Sequence, residues 1–129
     1  MIKVLFICVE NSCRSQMAEA ICNNFFSDKL KAYSAGSNPV KKINTKAQKS
    51  LLRIGINHLG SPKIIDTFKN HDLDFIVTMG CGDVCPFIPN IKKIDWQIAD
   101  PKLLENEEFD QIRDLIKSKI ISEFIENDE

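Results

Sequence analysis

The feature that most constrains this chain is a change of period around a cysteine near its start. Lys3 to Ile7 is a run of β-branched, aliphatic and aromatic side chains and reads as a buried strand. From Ser15 onward Met17, Ala18, Ile21, Cys22, Phe25 and Phe26 recur at three- and four-residue spacing, the pattern of an amphipathic helix with two adjacent apolar rows. Between them lies Cys8-Val9-Glu10-Asn11-Ser12-Cys13-Arg14-Ser15, with Ser12 or Cys13 near the helix start. A buried strand that turns directly into a helix belongs in a covered sheet, which points to an α/β architecture.

The alternation continues along the chain. Leu30 to Ala35 reads as a second strand, closed by the turn cluster Gly36-Ser37-Asn38-Pro39. Asn44 or Thr45 can cap a helix running through Ile54, with Gly55 at its end. Ser61-Pro62 reads as cap and first residue of a short helix carrying Ile64, Ile65 and Phe68. Leu73 to Met79 is the third strand, and Ile91 to Trp96 a fourth, whose Lys92 and Lys93 suggest an edge. Asn106, followed by Glu107 and Glu108, begins a long final helix bearing Phe109, Ile112, Leu115, Ile116, Ile120, Ile121 and Phe124. The expectation is one domain over residues 1–129: a three-layer sandwich with a four-stranded parallel sheet and helices on both faces. In such sheets ligands bind beyond the carboxyl ends of the strands, where the strand order switches, and Cys8 lies just past the first strand.

Composition narrows the function classes. Seventeen basic and eighteen acidic side chains give a formal net charge of -1, without the basic excess a nucleic-acid partner needs. Val4 to Ile7 is too short for a signal sequence or membrane span, so a cytoplasmic protein without membrane or nucleic-acid partners is expected. Five cysteines, an odd number, do not suit a disulfide framework in a reducing compartment. They point instead to catalysis, redox exchange or metal binding.

The loop carries the chemistry. A strand-to-helix turn leaves backbone N–H groups without partners and adds the positive end of the helix dipole, which together suit an oxyanion held by Val9, Glu10, Asn11, Ser12, Cys13, Arg14 and Ser15. Arg14 can grip two oxygens through its planar fork. The same field favours a thiolate at Cys8, to which Ser15 can donate its hydroxyl. Asn11 suits a left-handed backbone position in a tight loop. Cys8 is thereby a candidate nucleophile toward the central atom of a bound tetrahedral oxyanion. The plain alternative is a buried thiol beside a helix cap, with a solvated arginine.

Cys81 and Cys85 are four apart after the third strand, in a segment with Gly80, Gly82 and Pro86. In a helical turn their Cβ atoms would stand about 5–6 Å apart. A disulfide needs roughly 3.5–4.5 Å, so bonding requires a rearrangement that the flanking glycines permit. A zinc site would recruit further ligands, and His58 and His71 have no paired spacing with these cysteines. Two inert core thiols are the bland reading. Cys22 fits that reading, in the apolar row with Ala18 and Phe26. Cys13 can form a protective disulfide with Cys8 or point at the core, and the second is favoured.

The loop from Cys8 to Ser15, Ser34-Ala35-Gly36, the Cys81/Cys85 segment and Asp100-Pro101 together resemble the low-molecular-weight protein tyrosine phosphatases and the thioredoxin-coupled arsenate reductases that share their fold. Gln16, where the phosphatases usually have proline, and Met79 to Pro86 favour the reductase branch. The resemblance implies that Cys8 attacks arsenate while Arg14 holds it, with phosphate or sulfate as analogues. Asp100 would protonate the departing oxygen, a role for which Asp95 is the weaker candidate. Cys81 and then Cys85 would pass the oxidation outward to a thioredoxin-like reductant. No cofactor is implied as required, although some relatives bind potassium at positions matched here by Asn11, Glu19, Ser34 and Asp66. Glu10 departs from the family, whose members commonly carry glycine or histidine there. A carboxylate beside an anion is unfavourable unless it turns to solvent. The alternatives are a phosphatase using Cys8, Arg14 and Asp100 alone, and an oxyanion-binding or redox-sensing module without turnover.

Overall fold

The structure, a computed structural model, describes residues 1–80 and 91–126. Four strands, β1 (Ile2–Cys8), β2 (Leu30–Gly36), β3 (Phe75–Thr78) and β4 (Lys92–Asp95), form one parallel sheet in the order β2-β1-β3-β4. The helices are α1 (Arg14–Phe25), α2 (Thr45–Leu52) and α3 (Asn106–Ile120), and α3 runs on into a wider π turn, Ile121–Ile125. That turn seats the Phe124 ring 5.2 Å from Phe75 and 6.2 Å from Trp96, between centroids.

Alternation along β1 divides the core. Val4, Phe6 and Cys8 face the larger cluster, built with Met17 and Ile21 of α1, Leu51 of α2 and Phe109, Ile116 and Ile120 of α3. Leu5 and Ile7 face the other side, with Ala35, Phe68, Leu73 and Ile76. Both faces are thus buried, as a parallel sheet requires. Among the described residues three α-helices cover one face, and the 3₁₀ turn Ile65–Phe68 covers the other.

Several local signals hold. The Asn44 side chain caps α2 by accepting from the Lys46 N–H at 2.8 Å. Gly55, at φ 84°, ends it, donating to the Leu52 carbonyl while the Ile56 N–H reaches back to Leu51. The Ser61-Pro62 cap does not hold, since the helical turn begins only at Ile65, after Ile64. Residues 61–63 are extended because their backbone serves other partners. The Ser61 carbonyl accepts from Gln16, the Lys63 N–H donates to Asn11, and the Lys63 carbonyl accepts from Gly36.

Strand register sets the site. Cys8 pairs with Gly36, Ile7 with Thr78, and Thr78 with Asp95, so the carboxyl ends of all four strands meet at one edge. Because β1 lies between β2 and β3, the order switches beside Cys8.

Candidate active site

Cys8 ends β1 and α1 begins at Arg14, leaving five residues to turn from strand to helix. Asn11 makes that turn tight enough by adopting φ 52°, a left-handed conformation that asparagine tolerates. No side chain caps the N-terminus of α1, which leaves its first amides open to an anion. Cys8, Val9, Glu10, Ser12, Cys13, Arg14 and Asp100 line a cavity of about 230 Å³ there. Ser15 and Asn11 lie behind it, fully buried.

The Cys8 sulfur is 2.8 Å from the Ser15 hydroxyl, and the Asn11 amide donates to that hydroxyl at 2.7 Å. Arg14 is held at its far end. Its Nη1 donates to the Met79 carbonyl at 2.5 Å and to the Ile98 carbonyl at 3.1 Å. The guanidinium therefore ties α1 to the segments that follow β3 and β4. Gly80 is required here: at φ 86°, a Cβ would stand 2.8 Å from Nη1.

Asp100 faces Arg14, with Oδ2 3.8 Å from Nη2, and its other oxygen accepts from the Lys102 N–H at 3.1 Å. Half of its side chain remains exposed. Asp95 is committed elsewhere, accepting from Thr78 at 2.7 Å and from Gln97. Of the two candidate acids, the structure brings Asp100 to the cavity. Glu10 pairs with Lys102, with oxygens 3.1 and 3.0 Å from the ammonium, and Oε1 also accepts from the Ser12 hydroxyl at 3.4 Å. The bond to Glu10 is the main reason the Lys102 ammonium holds its proton more tightly than usual.

Burial pushes the Cys13 thiol up to about 12, so it stays protonated beside Cys8 at neutral pH. It packs in the core and also forms part of the cavity wall. Cys22 is fully buried, its thiol likewise raised by burial, and serves as packing. Cys81 and Cys85 lie outside the described residues, and with them the zinc reading of that pair. Among the described residues, no group of three or more His, Cys, Asp or Glu side chains is placed to hold a metal.

The residues matched to the relatives' potassium positions have protein partners. Asn11 Oδ1 already accepts from Gln16 at 3.0 Å and from the Lys63 N–H at 2.8 Å. Ser34 donates to Glu19 at 3.1 Å, and the second Glu19 oxygen lies 3.7 Å from His58. Asp66 is not brought to them: its side chain is exposed and paired with Lys69. Sequence reasoning passed over Lys102 and His58 and used Gln16 only as a branch marker. None stands in a local pattern that marks it, because each partner is far away along the chain.

A parallel sheet whose first strand delivers a cysteine to an arginine-closed anion loop defines a class of α/β protein that handles tetrahedral oxyanions at sulfur. The chain belongs to the low molecular weight phosphotyrosine protein phosphatase family, whose model matches residues 3–126. It is 37% identical over 126 residues to arsenate reductase 2 of Staphylococcus epidermidis, covering 92% of this chain and 93% of that one. A solved arsenate reductase in the phosphate-binding state superposes with a TM-score of 0.81 at 29% identity, covering 95% of each chain. The thioredoxin-dependent arsenate reductase of Corynebacterium glutamicum gives 0.69 at 37% identity, covering 95% of this chain and 63% of that one. No helix among the described residues is long and apolar enough to cross a membrane.

Proposed function

We propose that this chain is an arsenate reductase that passes its oxidation from Cys8 through Cys81 and Cys85 to thioredoxin. The observation that carries the reading is the convergence of Cys8, Arg14 and Asp100 on one cavity at the open N-terminus of α1. The similarity to arsenate reductases over nearly the full chain supports it.

Arg14 and the loop amides hold the arsenate oxygens and draw charge from arsenic. The Cys8 thiolate forms a bond to arsenic, and one oxygen departs as water after Asp100 donates its proton. The Cys81 thiolate then attacks the Cys8 sulfur. The S–As bond breaks with its electron pair on arsenic, which leaves as arsenite while Cys8 and Cys81 form a disulfide. Cys85 attacks Cys81, returns Cys8 as thiolate and leaves a Cys81–Cys85 disulfide, which the thioredoxin dithiol reduces by the same exchange. One two-electron oxidation of thiols matches the reduction of As(V) to As(III). Such a cycle needs a reducing compartment, and we place it in the cytoplasm.

The family also supports a second reading, a phosphatase with the same nucleophile, clamp and acid. Cys81→Ser separates the two. Multiple-turnover arsenate reduction should stop in that variant, whereas a phosphatase would keep its rate on a phosphomonoester. Mass spectrometry after arsenate treatment should find the Cys81–Cys85 pair in the wild type. Finding only Cys8–Cys13 would overturn the relay.

A further inference from the structure

We propose that Gln16, locked in place by His58, is a positioning residue for the nucleophile: it holds Asn11 so that the Ser15 hydroxyl must point its proton at the Cys8 sulfur. The proposal rests on the reading above only in taking Cys8 as the reactive thiol.

The direction of the amide bonds in this chain follows from backbone groups with no choice. The Lys63 N–H can only donate, so the Asn11 atom 2.8 Å from it is the carbonyl oxygen. The Asn11 NH₂ therefore faces Ser15, at 2.7 Å. The Ser61 carbonyl can only accept, so the Gln16 atom 3.0 Å from it is nitrogen. That same nitrogen lies 3.0 Å from Asn11 Oδ1, which leaves Gln16 Oε1 for His58 Nε2 at 2.7 Å. His58 must donate there. At the other end Ser15 accepts from Asn11, and a Cys8 thiolate, which can only accept, takes the Ser15 proton across the 2.8 Å between them. The amide assignments that are usually a matter of choice are here forced by backbone partners.

The burial of this chain gives each bond weight. Asn11, Ser15 and Gln16 have no solvent exposure, so an amide released from its partners would have no water to replace them. Gly60 closes the outer end. A Cβ there would stand 2.6 Å from His58 Nε2 and 2.9 Å from Gln16 Oε1, so backbone lies directly against that bond. His58 is faced by Glu19, 3.7 Å from Nε2, and by the charge of Lys63. The geometry requires a proton on Nε2.

Alkylation of Cys8, followed against pH by peptide mass spectrometry, reads the orientation of Ser15 and uses neither arsenate nor reductant. It therefore stands or falls apart from the reductase reading. Gln16→Met keeps the volume and removes all three bonds, while His58→Leu removes only the lock. Each should move the acid limb of the Cys8 profile upward by about one pH unit, a tenfold loss of reactive thiolate on that limb. His58→Gln, which keeps an N–H donor, should return the profile to within about 0.3 units of the wild type. A folded Gln16→Met protein whose Cys8 profile superposes on the wild type would overturn the proposal. If that variant does not fold, nitrogen-15 NMR of the wild-type imidazole decides: a proton on Nε2 supports the lock, and one on Nδ1 alone refutes it.

Discussion

Replacing Gly36 by alanine should disable the site by displacing the backbone of the anion loop. Gly36 ends β2 opposite Cys8, and an added Cβ would stand 2.5 Å from the Val9 carbonyl oxygen. It would also stand 3.0 Å from the Asn11 nitrogen and 3.1 Å from the Asn11 Cβ. Ordinary contact begins at 3.4 Å, so the Val9 carbonyl must retreat by about 0.9 Å. The strand cannot absorb that movement. Gly36 donates its N–H to the Lys63 carbonyl at 2.8 Å, and β2 is paired along the whole of β1. The anion loop has to move instead, against the bond from the Asn38 N–H to the same Val9 carbonyl and against the left-handed turn at Asn11. A displacement near 1 Å of reacting groups costs about 10²-fold in rate. That corresponds to roughly 2.7 kcal/mol of activation free energy. The overpacking itself should lower stability by about 1–3 kcal/mol. The assay is steady-state arsenate reduction with a thioredoxin system, alongside calorimetric binding of phosphate or sulfate and thermal melting. Loss of both turnover and anion binding in a protein that still melts cooperatively is the expected result. A folded variant with kcat/KM within about threefold of the wild type, where 10²-fold is expected, would show that Gly36 does not set the loop position.

Ser15→Ala removes the donor to the Cys8 sulfur, a bond to a charged group worth about 1.5–3 kcal/mol. The acid limb of the alkylation profile should rise by about one to two pH units; an unmoved limb would show that the hydroxyl donates elsewhere. Asp100→Asn should slow the first, arsenic-bonding step about 10²–10⁴-fold. Phosphate affinity should hold or rise, because a carboxylate 3.8 Å from Arg14 no longer competes with the anion; a weakened affinity would refute this placement of Asp100. Asp110 pins α2 to α3 by accepting from Arg53 at 2.7 and 2.6 Å and from Ser50 at 2.6 Å, and the Arg53 bonds above all hold its carboxyl below the usual range. A depressed native pKa gives stability that is complete above the unfolded value, about 3.9, and is lost as pH falls through the native one. Thermal melts from neutral to acid pH should show that loss in the wild type and a shallower one in Asp110→Asn, and parallel curves would contradict it.

What the sequence revealed of this molecule was what its short-range chemistry decides. The switch from a continuous apolar run to period 3.6 located β1, the loop and α1 to within a residue, because both elements are buried. Asn11 and Gly55 declared their left-handed positions by residue type. The failures share a cause in long-range demand. Ser61-Pro62 is a sound cap signal, overridden because the backbone of residues 61–63 is claimed by Gln16, Asn11 and Gly36. Gln16 stands in a helix pattern where glutamine is ordinary, and only its partners at Ser61 and His58, more than forty residues on, show what it holds.

Glu10 shows how a local misfit can be sound in three dimensions. A carboxylate on an anion loop opposes binding only if its charge reaches the anion. Here both its oxygens lie against Lys102, which follows Asp100 by two residues. The Lys102 backbone N–H holds an oxygen of Asp100, while its ammonium holds Glu10. One residue thus joins the loop after Cys8 to the segment of Asp100. With Glu10 and Lys102 cancelling, the field on a bound oxyanion comes from Arg14 and the start of α1, set against Asp100 whenever that carboxyl is ionised. The Glu10–Lys102 pair lies in solvent, where salt screens it, so its service is geometric. It ties the loop after Cys8 to the segment of Asp100, which line one cavity, and adds to the Arg14 bond to Ile98 a second link between the ends of β1 and β4.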